Sequence, residues 1–182
     1  QPPSVGGIRG GFVTGQGIDD LAMCHAGIEA LLSAGRAPST SVLCLFDNEE
    51  VGSSTGAGAQ SGFLDTVLEC LSGGTREMHR ALLGSVLVSI DAAHAVNPAW
   101  ESKFERGNRP LSNAGPVIKV NAQERYATSA LTEAYFRECA SAAGSPVQVF
   151  ACRNDIPCGS TIGPMLATRL GVPSVDAGNP VM

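Results

Sequence analysis

Short apolar runs that stop at acidic or amide residues set the rhythm of this chain. Ser41–Phe46 (SVLCLF) ends at Asp47 and Gly84–Ile90 (GSVLVSI) at Asp91, while Val147–Ala151 runs into Arg153-Asn154-Asp155. Val117–Val120 (VIKV) and a final Ser174–Asp176, running into Ala177-Gly178-Asn179-Pro180, complete the set. Apolar runs of this length bounded by turn formers predict buried strands. Between them the apolar spacing changes to helical. One helix is predicted from Asp19 or Asp20 to about Ala34, with Leu21, Ile28, Leu31 and Leu32 on one stripe. A second follows Gly62 with Leu64, Val67, Leu68 and Leu71, and a third spans Thr128–Ala143 with Leu131, Ala134, Tyr135 and Cys139 turned inward. Cys158–Pro164 opens a last helix that Gly171 closes. Gln1–Gly11 reads as Pro/Gly-rich loop leading to a strand end at Phe12–Thr14, Ser72–Arg80 as a polar hairpin region, and Asn97–Pro116 as an irregular loop long enough to wall a site. Alternating strands and helices predict an α/β domain. In such sheets ligands gather beyond the C-terminal strand ends, where this chain places its acids.

The densest of those ends is Asp47-Asn48-Glu49-Glu50, three acids and an amide in four positions. Crowded carboxylates repel one another and lose solvation, so they call for a cation among them or for full exposure to water. Glu49 and Glu50 are adjacent, and in extended chain their side chains face opposite ways. One can ligate a cation while the other stays free to take a proton from water as a general base. Asp19 and Asp91, from separate elements, would complete a carboxylate cage, and one carboxylate can bridge two ions ~3.5–4 Å apart. Hydrolysis is the reaction class favoured. A cage of acids alone suits magnesium or calcium, whereas zinc also wants imidazole. Either Asp19 or Asp20 can serve as an N-cap, which leaves the other spare. His94, three residues beyond Asp91, stands evenly between a structural hydrogen-bonder and a participant. Lys119, inside an apolar strand, either snorkels to solvent or neutralises an acid.

A rival reading rests on the glycine run Gly52–Gly62 ahead of a helix, a place where backbone N–H groups can cradle phosphate. No GK[ST] follows Gly58, the spacing of Gly56, Gly58 and Gly62 is GxGxxxG rather than GxGxxG, and Glu49 and Glu50 would repel phosphate.

Composition narrows the partners. A chain of 182 residues, 43% apolar, can bury one core. Its net charge of −5, without Lys/Arg clusters, argues against nucleic acid or an anionic membrane surface. No apolar run approaches the ~20 residues that cross a bilayer, and the first residues lack a signal-peptide layout. Six cysteines (Cys24, Cys44, Cys70, Cys139, Cys152, Cys158) form no CxxC knuckle. Reduced, mostly buried thiols and a cytoplasmic protein are therefore expected. A chain opening on Gln1 and stopping at Met182 just after a Gly-Asn-Pro turn reads as a piece of something longer.

The runs DNEEVGS (Asp47–Ser53), GAQS (Gly58–Ser61), DAAHAVNP (Asp91–Pro98), NRPL (Asn108–Leu111), GPVIKVN (Gly115–Asn121), RYAT (Arg125–Thr128) and RNDIPCGSTIGP (Arg153–Pro164) together resemble the aspartyl aminopeptidases, the M18 metallopeptidases. The resemblance spans nearly the whole chain. It implies a three-layer α/β fold with a mostly parallel central sheet flanked by helices, as in zinc exopeptidases. It also implies removal of N-terminal acidic residues (Asp or Glu) from peptides at a co-catalytic centre of two divalent ions, zinc first, with manganese or cobalt as alternatives. The family assembles as a homo-oligomeric dodecamer. Carried over by motif, Asp19 resembles the bridging aspartate, Glu49 the general base, Glu50 the ligand of one ion and Asp91 of the other. His94, Lys119 and Tyr126 lie in motifs that line the substrate pocket. The chain departs from the family in having Asp20 where Asn is usual. The family's histidine ligands upstream of Gln1 and after the Asn-Pro turn have no counterpart, nor does its pairing domain. Residues 1–182 are thus expected to form part of a catalytic domain that is weak or inactive alone. A member that has lost activity and serves assembly is the alternative.

Overall fold

The computed structural model describes residues 2–182. A hairpin of β1 (Ser4–Gly6) and β2 (Phe12–Thr14) leads into helix α1 (Ile18–Ser33). After a long irregular stretch come α2 (Phe63–Ser72), α3 (Thr75–Leu82), β3 (Leu87–Ile90) and the two-residue β4 (Ala93–His94). A 3₁₀ turn at Pro98–Lys103 lies in the long loop before β5 (Val117–Val120). Helix α4 (Ala130–Ala142), β6 (Gln148–Ala151), α5 (Ile162–Leu170), β7 (Ser174–Gly178) and β8 (Pro180–Val181) close the chain.

The central sheet runs in the order β3-β7-β5-β6. Two of its pairings, β3 with β7 and β5 with β6, are parallel, and β5 meets β7 antiparallel. Strand β7 sits between two neighbours and every one of its residues is buried, which is why small and apolar side chains crowd Ser174–Gly178. Helix α5 packs on β3 and β7, α4 on β7 and α1 on β3, giving the flanked α/β sheet that the residue pattern predicts. Ala93, Val117, Tyr126 and Phe150 form one apolar cluster; Ala59, Leu64 and Leu166, with Cys44, Phe46 and Leu87 against them, form another. No helix among the described residues is long and apolar enough to cross a membrane.

Several local expectations are overturned. Among the described residues Ser41–Phe46 pairs with no strand; with β3 it lines a cleft of about 580 Å³. Ser72–Arg80 is no hairpin. Gly73, left-handed at φ 85°, ends α2, and the chain re-enters a helix at Thr75. Only Met78 of α3 is fully buried, and the helix packs against α2 with most of its surface charged and exposed. In α4 it is Thr132 and Ala140 that are buried, while Leu131, Ala134, Tyr135 and Cys139 face out. The α1 stripe is likewise exposed, Leu32 at 76%, and Met23 is the residue that α1 buries. No described element covers either apolar face. The six cysteines are free, as expected, but none is fully buried, and Cys70 and Cys139 are exposed.

Candidate metal centre

Asp91 leaves the C-terminal end of β3 and is held there from its main chain. Its N–H donates to Ala177 O at 3.1 Å, and two residues on Ala93 N–H donates to Asn179 O at 2.9 Å. The strand beside it comes very close. A Cβ on Gly178 would lie 1.6 Å from the Asp91 carbonyl oxygen, so only glycine fits that position.

Asp19 and Asp20 approach from the start of α1. Neither caps the helix: the N-cap is Gly17, no side chain bonds to its free N–H groups, and both aspartates have non-helical backbone joined by a cis peptide. Freed from capping, their carboxylates converge on Asp91, and one oxygen from each of the three lies within 4.8 Å of the others. Burial, then a hydrogen bond and repulsion from Asp91, push the Asp19 carboxyl up to about 6, although its side chain reaches solvent. Burial, then repulsion from Asp91 and Asp19, push Asp20 up to about 7. The Asp20 Oδ1 is buried without a hydrogen-bond partner. Three converging carboxylates, one with an orphaned oxygen, fit a divalent cation, which would satisfy that oxygen and cancel the repulsion.

The Asp47–Ser53 turn brings Glu49 and Glu50 to the rim of this group. Asn48 and Ser53 take left-handed backbone (φ 60° each), and hydrogen bonds from Ser53 N–H to Asn48 O (2.9 Å) and Gly52 N–H to Glu49 O (2.8 Å) close the turn. Gly58 packs against it so tightly that a Cβ would meet Ser53 O at 2.3 Å. Arg169 of α5 fastens the far side by donating to Ala59 O and Ser61 O at 2.8 and 2.7 Å. Within the glycine run, close backbone packing accounts for Gly58 and a left-handed φ of 96° for Gly52. Glu49 is half-buried, and burial followed by the charges of Asp91, Glu50 and Asp19 raises its carboxyl. Glu50 is exposed and outside the three-aspartate group, though its charge reaches both Asp19 and Glu49.

Lys119 neutralises an acid rather than snorkelling. It is 3% exposed, and its Nζ donates to Asp91 Oδ2 at 3.0 Å and Ala92 O at 2.8 Å. Tyr126 is buried with its ring centroid 5.5 Å from Lys119 Nζ, and burial with the adjacent Cys158 thiol pushes its hydroxyl upward. His94 is exposed on β4, edge-on to Phe150 at 6.0 Å, and is not part of the carboxylate group. Of the residues singled out in the sequence, Asp19 and Asp91 thus meet directly, Glu49, Glu50 and Lys119 surround them, and His94 and Tyr126 stand further off.

Two residues went unassigned in the sequence. Asp20, the spare acid of the pair, joins the cluster, and the doubled aspartate was its signal. Asp176 is fully buried in β7 and accepts hydrogen bonds from Ala127 N–H and the Thr161 hydroxyl. Its signal, an acid within a run of small apolar residues, is weak alone.

A family model described as aminopeptidase I zinc metalloprotease (M18) matches residues 1–182. A probable M18 family aminopeptidase 2 of Stutzerimonas stutzeri is 46% identical over 180 residues, covering 99% of this chain and 42% of that protein. Among solved structures, a chain of the Ape4–Nbr1 complex is 39% identical with a TM-score of 0.89 over 99% of this chain and 36% of its own. The S. cerevisiae mApe1 dodecamer is 30% identical with a TM-score of 0.82 over 98% and 41%. The chain spans less than half the length of these relatives. A match along all 182 residues, on a fold that gathers acids at the C-terminal strand ends, establishes that the chain belongs to the M18 family of zinc metallo-aminopeptidases.

Proposed function

We propose that these residues supply the acid cluster, the general base and part of the substrate pocket of an aminopeptidase that removes N-terminal aspartate or glutamate from peptides. The observation that carries this reading is the meeting of Asp19, Asp20 and Asp91 within 4.8 Å, with the raised Glu49 carboxyl at their rim. Asp19, Asp91 and Glu50 would hold the metal, Asp19 shared between the ions, with Asp20 beside them. Two divalent ions, zinc ahead of manganese or cobalt, would supply positive charge that polarises the scissile carbonyl and acidifies water.

The chain's own groups do the rest. Glu49, held out of the aspartate group by the Asp47–Ser53 turn, takes a proton from the attacking water while the water oxygen bonds to the carbonyl carbon. It returns that proton to the leaving amine as the C–N bond breaks. Burial, then the charges of Asp91, Glu50 and Asp19, raise its carboxyl, which strengthens it as a proton acceptor. Lys119 places a buried positive charge beside Asp91 and can pair with an acidic side chain. Tyr126 and His94 wall the pocket. Likeness to a dodecameric relative supports a homo-oligomer, and six free thiols suit a cytoplasmic protein.

The test uses a polypeptide of the relatives' length containing these residues. Glu49→Gln is expected to abolish turnover of an N-terminal Asp peptide while bound metal persists, and wild-type turnover in that variant would sink the assignment. Lys119→Met is expected to cut the preference for Asp over Ala substrates at least tenfold. A second reading, a member serving assembly alone, draws on the absence of imidazole from the acid group among the described residues. It expects no functional loss in Glu49→Gln.

A further inference from the structure

We infer that Asp176 is the positioning residue of the substrate pocket, a buried clasp that fixes the loop carrying Tyr126 and the opening of α5 to the centre of the sheet.

Pairing between β5 and β7 stops after Val117↔Gly178 and Ile118↔Ala177. Below that point the loop after Tyr126 takes the place of a strand. The Asp176 N–H donates to Thr128 Oγ1 at 2.9 Å, and Thr128 forms an isolated bridge with Ser174. The Asp176 side chain completes the attachment. Ala127 N–H donates to Oδ2 at 2.5 Å and the Thr161 hydroxyl to Oδ1 at 2.6 Å. Thr161 is the N-cap of α5, and its hydroxyl goes to Asp176 rather than to the helix's own N–H groups. Two residues later, a Cβ on Gly163 would sit 2.4 Å from both carboxylate oxygens, so the helix backbone presses directly on the clasp.

Asp176 is fully buried, and no Lys, Arg or His among the described residues lies within ion-pair distance of it. A carboxylate held by neutral donors is a costly way to stabilise a strand. What it accomplishes is spatial. One side chain joins three segments far apart in sequence, and the first of them carries Tyr126, whose ring faces the ammonium of Lys119, which in turn holds Asp91. Through that chain of contacts Asp176 sets the wall of the pocket without touching substrate.

This inference rests on the aminopeptidase reading for its kinetic readout but not for its structural one. In a polypeptide of the relatives' length, Asp176→Ala is expected to accelerate amide hydrogen exchange selectively in residues 125–128 and 159–163. It should also raise KM for an N-terminal Asp peptide about tenfold, with kcat within about threefold and metal content unchanged. Asp176→Asn should restore both, since its oxygen can face Ala127 N–H while its amide donates to Thr161. If Asp176→Ala does not fold, Thr161→Val, which removes one of the two side-chain contacts, should show the same exchange pattern over 159–163 and a smaller rise in KM. Unchanged exchange in those segments, an unchanged KM in the folded variant, or equal damage from Asn and Ala would overturn the proposal. Exchange decides the clasp even if the wild-type protein cleaves no N-terminal residue, an outcome that would remove the aminopeptidase reading alone.

Discussion

Replacing Gly178 with alanine tests how rigidly the sheet holds the acid cluster. The new Cβ would start 1.6 Å from the Asp91 carbonyl oxygen, 2.7 Å from its carbonyl carbon and 3.2 Å from the Ala92 carbonyl carbon. Comfortable non-bonded separations lie near 3.5 Å, so the carbonyl must retreat by roughly 2 Å. That retreat pulls Asp91 N–H off Ala177 O and Ala93 N–H off Asn179 O. Overpacking costs about 1–3 kcal/mol, and each N–H left without a partner about 1–3 kcal/mol more. Partial relaxation brings the expected loss to about 3–5 kcal/mol. Urea unfolding followed at Trp100, with bound metal measured on the same samples, reads both consequences. Metal content should fall, because Asp91 moves with its backbone. Gly56→Ala is the control, since a Cβ there meets nothing within 4 Å, and it should stay within about 0.5 kcal/mol. A Gly178→Ala protein destabilised by less than about 1 kcal/mol with full metal occupancy would refute the claim that this contact fixes Asp91.

Three further outcomes follow from the same residues. In metal-free protein the Asp19 and Asp20 carboxyls stand at about 6 and about 7 against an ordinary 3.8. The folded state therefore binds those protons more tightly, and the stabilisation is complete below the ordinary value and lost as pH rises through 6 and 7. Solvent access to both groups screens its size. The stability of wild type relative to Asp20→Asn should thus fall between pH 4 and pH 8, and a flat difference across that range would count against the cluster. Lys119→Met strips Asp91 of its buried partner and should cost about 3 kcal/mol in metal-free protein, with added zinc recovering part of the loss; equal loss with and without zinc would show that the ammonium and a cation do not share Asp91. The 182 residues expressed alone should bind zinc weakly and hydrolyse an N-terminal Asp peptide poorly, because no imidazole joins their acid group among the described residues. Full turnover by that chain would overturn this.

Where side chains alone decide, the sequence was readable: β3, β5 and β6 announce themselves as apolar runs, and Asp91 at the end of β3 predicts a charged crevice. Asp91 was legible for the same reason, an acid that folding by itself does not need, while the Asp19-Asp20 pair offered one acid more than a helix cap requires. Elements whose stability depends on a neighbour were harder to see. Helix α3 fully buries Met78 alone, too little periodicity to distinguish it from a polar turn. Ser41–Phe46 has the composition of a strand, but a strand is a pairing and no partner reaches it. The outward-facing Leu131, Tyr135 and Leu32 show that helical spacing identifies an apolar stripe without saying what, if anything, lies against it. The doubled aspartate hinted at Asp20, but its place in the cluster, like the role of Asp176, depends on tertiary approach across the molecule.

The cleft beside β3 has a practical consequence for anyone who makes this polypeptide by itself. One side of β3 is hydrogen-bonded to β7, and among the described residues no strand pairs with the other, where Val86 and Val88 are each 40% exposed above an apolar floor. Bare strand margins recruit whatever extended peptide comes by, including a copy of themselves. Stickiness and low yield, more than lack of activity, will be the first thing such a preparation displays, and a lysine at Val88 is the single change best suited to keep it in solution.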